Sequence, residues 1–585
     1  MNTESELLYG CIRESRCRLC QFDLQKGDSV IAFAFRDERH LSYFTFDTYD
    51  YRDTVLHVNF HICRAGCRFG DFVTPIFHKS CYEFIGKFGP VTTSLLAATE
   101  YSFQPSSYEK QQRLRRLKGT LCETLPKTLP LPPEIITMIA DLLVHSYAAI
   151  ITQTQTLQDG SAAESVVDLN DNIYAPHKYF DGVRYIQSLS NSGLETELVL
   201  KANEKGTVRR ITVAEDHLGI RQVHNDRDTT YDNEETIHNA WWRDISRSDG
   251  IASIRTRTDG VKLRDIMETS QSNTFSGGSE AGPFSCVRWA HPKHPAEILD
   301  LDAGNCPQRF PSSLRMCYFD CNGPRTIGYS VATDGLKVSS IHAHRQDDDV
   351  SFYVDSGADW IYMPVEGGEY LTEIGVRYHQ RKPLAILFTT NRGRRTLFGA
   401  SSTTTLKFIT VHKPSRKGSR IWFNAWDSVQ ERRLKYMAFE DGPLVERLPP
   451  SLLTPPVADL PHTQYNEPWF FSSCSLKDIV GVTVCRDTSL SHQPILGILL
   501  LHKGGHKTSL GRFRFDQAIK QVQVEECCCL HIGSRRTDEG FPYVADVTVY
   551  PQSECLSSIV LHSGDVLEWY FSNRHCIVRK AAGDN

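Results

Sequence analysis

The chain has 585 residues, of which 40% are hydrophobic, 23% charged and 10% aromatic, and its formal net charge is −5. That length accommodates about three to five domains, and the near-balanced charge argues against a whole-chain nucleic-acid or anionic-membrane binder. No apolar run approaches the roughly 18–20 residues of a membrane span, so no membrane partner is expected.

The N-terminus, MNTESELLYG, has neither a basic start nor an apolar core of the secretory kind. The 18 cysteines therefore read as metal ligands or small buried residues in a reducing compartment, cytoplasmic or nuclear.

Residues 1–100 carry a run of metal-type spacings: Cys17-x2-Cys20, Cys63-x3-Cys67 and His78-x2-Cys81. Two ligands on one tight turn can face the same ion, which is what a tetrahedral zinc site needs. The turn Lys26-Gly27-Asp28 and the β-prone stretches after it predict a hairpin. The segment from Pro75 to Phe84 predicts a short helix with His78 and Cys81 on one face. Knuckle, hairpin and helix in that order is the layout of a treble-clef zinc module, with Cys17, Cys20, His78 and Cys81 as ligands. Cys63 and Cys67 either join His57 and His61 in a second site or replace one of those pairs. Cys11 reads as a buried free thiol. The zinc reads as structural, because four protein ligands are available and no general base accompanies them.

Residues 101–160 are expected to be helical. The basic run from Tyr108 to Lys118 reads as a solvated helix face. Pro132 and Pro133 suit a helix entry, Glu134 suits its positive end, and Ile135, Ile136, Ile139, Leu142 and Leu143 form an amphipathic stripe. Leu131, Pro132, Glu134, Ile135, Ile139, Leu142 and Leu143 resemble the opening of an F-box. The resemblance implies docking of Leu131, Pro132, Ile135, Ile139, Leu142 and Leu143 on a Skp-type adaptor of a cullin ubiquitin ligase. Together with the cysteine-rich start and the long C-terminal part, the layout is similar to filamentous-fungal F-box-like proteins.

Residues 161–175 read as a linker. Beyond them, short segments rich in Val, Ile, Thr, Tyr and Phe recur between Gly, Asp, Asn and Pro, predicting β units over 176–275, 276–455 and 456–585. Residues 371–399 and 476–511 share a layout: Ile386 precedes Gly393 by seven positions as Ile498 precedes Gly505, and Gly399 and Gly511 each follow six later. Glu369, Tyr370, Ile374, Phe388, Thr390, Asn391, Gly393, Arg394, Phe398 and Gly399 resemble a strand pair of jacalin-like lectins, which implies a β-prism-like unit.

The expected fold class is thus α+β multidomain: a small treble-clef-like zinc module, a short helical F-box-like segment and a large mainly-β region of sandwich, barrel or β-prism units. His342 and His344 alternate on a predicted strand beside Asp347, Asp348 and Asp349 and read as strand histidines near a polar loop. Cys527 and Cys529 read as packing residues. Gly277-Gly278-Ser279-Glu280-Ala281 lacks the final glycine and the preceding strand of a nucleophile elbow. No phosphate loop, dinucleotide fingerprint or zinc-hydrolase motif occurs. The expected function is a non-enzymatic interaction protein, an F-box-like substrate receptor whose β region binds a target; the alternative is a lectin-like carbohydrate binder whose helix is only a linker.

Overall fold

The computed structural model describes residues 8–12, 14–34, 39–40, 43–47, 50–53, 58–62, 74–87, 91–156, 162–193, 196–202, 208–225, 240–269, 287–302, 314–346, 348–354, 358–379, 382–401, 406–425, 433–442, 451–453, 460–463, 465, 467–524, 529–550 and 557–581. The chain forms two compact units. The first comprises Met1–Lys293, Arg309–Arg315 and Trp426–Glu431; the second comprises His294–Gln308, Met316–Ala425 and Arg432–Asn585.

The first unit opens with β1 (Leu8–Ile12), β2 (Ser29–Ala34), β3 (Arg39–His40), β4 (Phe44–Thr45), β5 (Tyr51–Asp53), β6 (Val58–Ile62) and β7 (Ile76–His78). β2 pairs antiparallel with β3, β4 and β7. The antiparallel pair expected after the first two cysteines is formed by β2 and β3, and the turn at Gly27, with φ +99° and the Asp28 N–H donating to the Gln25 carbonyl at 3.0 Å, leads into β2.

Four helices follow: α1 (Lys79–Ile85), α2 (Thr93–Ala98), α3 (Ser107–Thr124) and α4 (Pro133–Thr156). α3 starts at a capping box in which Ser106 and Glu109 satisfy each other's backbone N–H groups. α4 starts as its sequence predicts, with Pro133 and Glu134 in the first turn.

α4 divides the expected stripe: of its five residues only Ile136 is buried. Ile136, Ala140, Val144 and Ala148, four residues apart, are buried, while Ile135, Met138, Leu142 and Leu143 are exposed. Ala140, Val144, Ala148 and Ala149 share one core with Cys17, Cys20, Phe77, Cys81, Leu117 and Leu121. Small side chains let α4 approach its neighbours closely, so its narrow face packs and its bulky aliphatic face stays outside. The expectation that no segment could span a membrane is also corrected. α4 is long and apolar enough by length and composition, with a mean hydropathy of 1.7 over its best window, because Ala, Ile and Leu are interspersed with uncharged Thr, Ser and Tyr.

The expected linker 161–175 contains two strands. Ala163–Asp168 pairs antiparallel with Ser253–Thr258, and Ile173–Ala175 pairs with Glu197–Leu200. The first lies at a sheet edge with Val167 buried and its neighbours exposed, so its composition resembles that of a linker. The remaining strands of this unit enclose a core of Val167, Ile211, Val213, Ile220, Ile254 and Ile266.

In the second unit the two similar segments have the same topology. Leu371–His379, Lys382–Thr390 and Arg395–Phe398 form a meander, with Leu406–His412 added beside the first strand. Ile479–Arg486, Ile495–His502 and Lys507–Gly511 form another, with Ala518–Gln523 added in the same place. Ile386 pairs with Phe398 as Ile498 pairs with Leu510. The shared glycines have a physical reason. Gly393 and Gly505 turn with φ of +77° and +80°, and a Cβ on Gly399 or Gly511 would come within 2.5 Å of Ala385 or of the Leu496 carbonyl. Each copy has its own core, one around Ile374, Ile386 and Phe388, the other around Val482, Ile498 and Trp569. Both copies belong to the one compact unit, where Arg512 pairs with Asp359 at 2.7 Å, so the expected boundary at 455/456 falls inside it. Trp289, Trp360 and Trp569 are fully buried anchors.

Candidate metal centre

A tight turn positions the first two cysteines. The Cys17 N–H donates to the Phe22 carbonyl at 2.9 Å, the Gln21 N–H donates to the Cys17 carbonyl at 2.8 Å, and Gln21 takes φ +63°. Buried Arg16 ties the turn down by donating to Gln21 Oε1 at 2.6 Å and to the Thr99 carbonyl at 2.7 Å. A parallel bridge between Cys17 and Ile76, with Arg18 N–H donating to the Ile76 carbonyl at 3.0 Å, lays the turn beside β7.

His78 ends β7 and is the N-cap of α1, and Cys81 lies in the first turn of that helix. His78 is thus a strand-end residue and not on the predicted helix face: the chain turns between the two ligands, which still brings both side chains to the knuckle.

Cys17, Cys20, His78 and Cys81 are all buried, and one donor atom from each lies within 4.8 Å of all the others. His78 Nδ1 is 3.3 Å from Cys20 Sγ and 3.9 Å from Cys81 Sγ. Metal–sulfur bonds of about 2.3 Å and metal–nitrogen bonds of about 2.0 Å in a tetrahedron require donor separations of roughly 3.5–3.8 Å. The cluster could therefore bind a metal ion with little adjustment. His78 Nε2 faces Asp28 Oδ2 at 3.3 Å, the outer carboxylate that orients a ligating imidazole.

The electrostatics of the cluster favour a thiolate at one sulfur, Cys17. Burial alone pushes the Cys17 thiol up, but hydrogen bonds from Cys20, Cys81 and His78 outweigh it and hold Cys17 well below the usual thiol range. Burial raises Cys20, and a hydrogen bond to Cys17 raises Cys81. A cation at the centre would favour the thiolate form at every sulfur.

Two neighbours were not evident from spacing. Asp28 comes from the hairpin turn. His145, from α4, has Nδ1 3.9 Å from Cys20 Sγ and stacks on Phe22 at 4.5 Å. No local motif announces His145, because 125 residues separate it from Cys20. Of the second predicted site, His57, Cys63 and Cys67 lie outside the described residues, and His61 pairs with Asp50 at 2.8 Å. Cys11 is buried in β1, as expected.

The predicted partner-binding residues lie together on α4 and its approach. Leu131, Pro132, Ile135, Leu142 and Leu143 are exposed and Ile139 is half-buried; Leu142 reaches 82% exposure. The basic run on α3 is solvated at Arg115, Arg116 and, in part, Lys118, as expected, but Arg113 is largely enclosed. Lys110 pairs with Asp23, Lys118 with Asp141, and Arg113 and Arg116 with Asp181.

A second group forms in the other unit. His342, His344 and Asp348 come within 4.8 Å of one another, with both histidines on one face of Val338–Arg345. Here the sequence missed the third member, which a loop brings back to the strand. Asp347 lies outside the described residues, as do Cys527, Cys528 and Gly277–Ala281.

No family model matches the chain, and no curated protein sequence matches it. Among solved structures it is similar to a prostate-specific WGA16 glycoprotein lectin. Identity is 17%, the match covers 21% of this chain and 87% of that one, and the TM-score is 0.16. So slight a likeness carries no argument about fold or ligand.

Proposed function

We propose that this chain is a non-enzymatic interaction protein in which a zinc-clamped N-terminal module presents α4 to a Skp-type adaptor, while the β-rich regions engage a target. The reading rests on one observation: the F-box-like residues Leu131, Ile135, Leu142 and Leu143 form an exposed apolar face. The opposite face of the same helix shares a core with the cysteine cluster. Large aliphatic side chains left outside while small ones pack within are what a docking helix needs. Zinc would suit the Cys3His donor set, and with four protein donors to hold it its role would be structural. The test is pull-down of a Skp-type adaptor by the full chain and by an Ile135→Asp, Leu142→Asp variant. Capture by the first and not the second supports the reading; no capture by the native chain ends it.

A second reading, carbohydrate binding, is favoured by a polar basin of about 900 Å³ in the second unit. Asn322, Arg345, Glu366, Glu369, Tyr370 and Arg416 line it, and the Glu369-Tyr370 segment is the one that resembles the lectin strand. Mixed donors and acceptors around one tyrosine suit a sugar. A glycan array probed with the full chain and a Tyr370→Ala, Glu366→Ala variant tests it; silence across the array removes this reading.

A further inference from the structure

A cavity of about 270 Å³ lies within the first unit, between the turn after Cys20, helix α3 and the strands around Asp181 and Asp216. Its walls are part apolar, from Phe22, Tyr101, Tyr185 and Leu218, and part charged, with four basic and four acidic residues. Arg113 is the informative residue. Its Nε donates to Asp181, and its guanidinium lies 4.9 Å from the centre of the Phe22 ring. Its two terminal nitrogens, Nη1 and Nη2, are fully buried and have no protein acceptor. His217 Nδ1, on the same wall, is likewise buried with no protein partner.

Buried guanidinium donors left without acceptors are costly, so they mark a place where an acceptor belongs. The acidic groups on the wall do not supply it. Asp181 is engaged by Arg113 Nε and by Arg116. Asp216 accepts from Tyr185 Oη at 2.7 Å and from the Leu218 and Gly219 N–H groups at 2.8 and 3.2 Å. Asp23 is held by Lys110 at 2.7 Å, and Glu109 closes the capping box of α3. Both oxygens of Asp216 and one each of Asp181, Asp23 and Glu109 are engaged, whereas the Arg113 terminal nitrogens have no acceptor among the described residues.

We propose that this cavity is a binding site for a small organic anion, with a carboxylate or phosphate on the Arg113 terminal nitrogens and an apolar body between Phe22, Tyr101 and Leu218. The volume sets the size. It falls just below the roughly 300–1,000 Å³ of ordinary ligand pockets, so one ring with one anionic group fills it. A guanidinium presents two parallel donors that match a carboxylate or phosphate edge. The site is independent of the adaptor reading, though Phe22 also touches His145 of α4.

The test is isothermal titration of the full chain with benzoate, with phenyl phosphate and, as an uncharged isostere, with benzamide. The expected result is saturable binding of benzoate or phenyl phosphate, weakened at least about tenfold by Arg113→Gln and by Gln112→Trp, with benzamide weaker than benzoate. Which anion binds more tightly separates a carboxylate from a phosphate ligand. No saturable binding of either anion at millimolar concentration overturns the proposal. So does benzamide binding as well as benzoate, or an affinity that neither variant changes. Should Arg113→Gln lose its native circular dichroism, Gln112→Trp decides alone, because it blocks the cavity wall and leaves the Arg113–Asp181 pair in place.

Discussion

The two side-chain groups with metal-ligand chemistry differ in what their donor atoms already touch. In the N-terminal cluster, Cys17, Cys20, His78 and Cys81 face mainly one another; Asp28 reaches the ring nitrogen of His78 that points away from the sulfurs, and His145 Nδ1 lies 3.9 Å from Cys20 Sγ. In the other cluster each donor is employed. His344 Nε2 is 2.7 Å from Ser330 Oγ, His342 Nε2 is 3.0 Å from Asp348 Oδ2, and that oxygen also accepts from the Arg345 N–H at 3.0 Å. His342 further stacks on Phe352 at 3.7 Å. Proximity of donors is shared by both clusters. Soft ligands, burial and free lone pairs belong to the first, and a hydrogen-bond network that closes a turn belongs to the second.

The largest expected effect lies on the first cluster. Cys20→Ser, or a strong chelator, is expected to strip the metal and unfold the N-terminal module. Metal-binding energy in small zinc modules, on the order of 10 kcal/mol, exceeds what the small core around it supplies. Elemental analysis with circular dichroism checks this; a metal-free yet folded module would break the comparison.

Next in size is the helix that shares the cluster's core. Val144→Asp buries an unpaired charge and is expected to cost about 3 kcal/mol or more, while Leu142→Asp, on the exposed face, stays within about 0.5 kcal/mol. Denaturant titration of both variants reads the difference.

A smaller effect comes from acid on the second cluster. Burial, aided by the charge of His342, pulls His344 from its ordinary 6.5 down to about 3. The folded state therefore refuses a proton that the unfolded chain accepts. Stability from His344 is complete above about pH 6.5 and is lost as pH falls from there toward about 3, at about 1.4 kcal/mol per pH unit. His412, lowered by burial to about 4, acts in the same direction. His344→Gln should flatten the slope in urea titrations between pH 6 and 4; an unchanged slope would place the acid sensitivity elsewhere. Smallest of all, Asp348→Asn should leave the metal content of the chain unchanged, and a loss of metal there would make the two clusters alike.

Much of this was legible from residue order. Short-range spacing picks out Cys17 with Cys20 and His78 with Cys81, because a knuckle and a helix start each bring two donors together, and the structure gathers the four into one buried cluster. The start of α4 followed from Pro133 and Glu134, and the twin meanders from the positions of Gly393, Gly399, Gly505 and Gly511. Each of these depends on a few neighbouring residues and on backbone sterics.

What residue order left open depends on contacts between distant segments. Periodicity shows a stripe of Ile135, Ile136, Ile139, Leu142 and Leu143 on α4, but only the close approach of Ala140, Val144 and Ala148 to the cysteine core decided that Leu142 faces outward. The edge strand Ala163–Asp168 reads as polar linker until Ser253–Thr258 supplies its hydrogen bonds. Arg113 looks like one cation in a basic run, and becomes a buried donor only when Asp181, 68 residues away, folds over it. By itself the sequence determined the cysteine and histidine spacings, the helix entry and the glycine turns, which are local and steric. Tertiary structure decided which apolar face is hidden and which buried charge is left with donors to spare, because burial is a property of the whole packed chain.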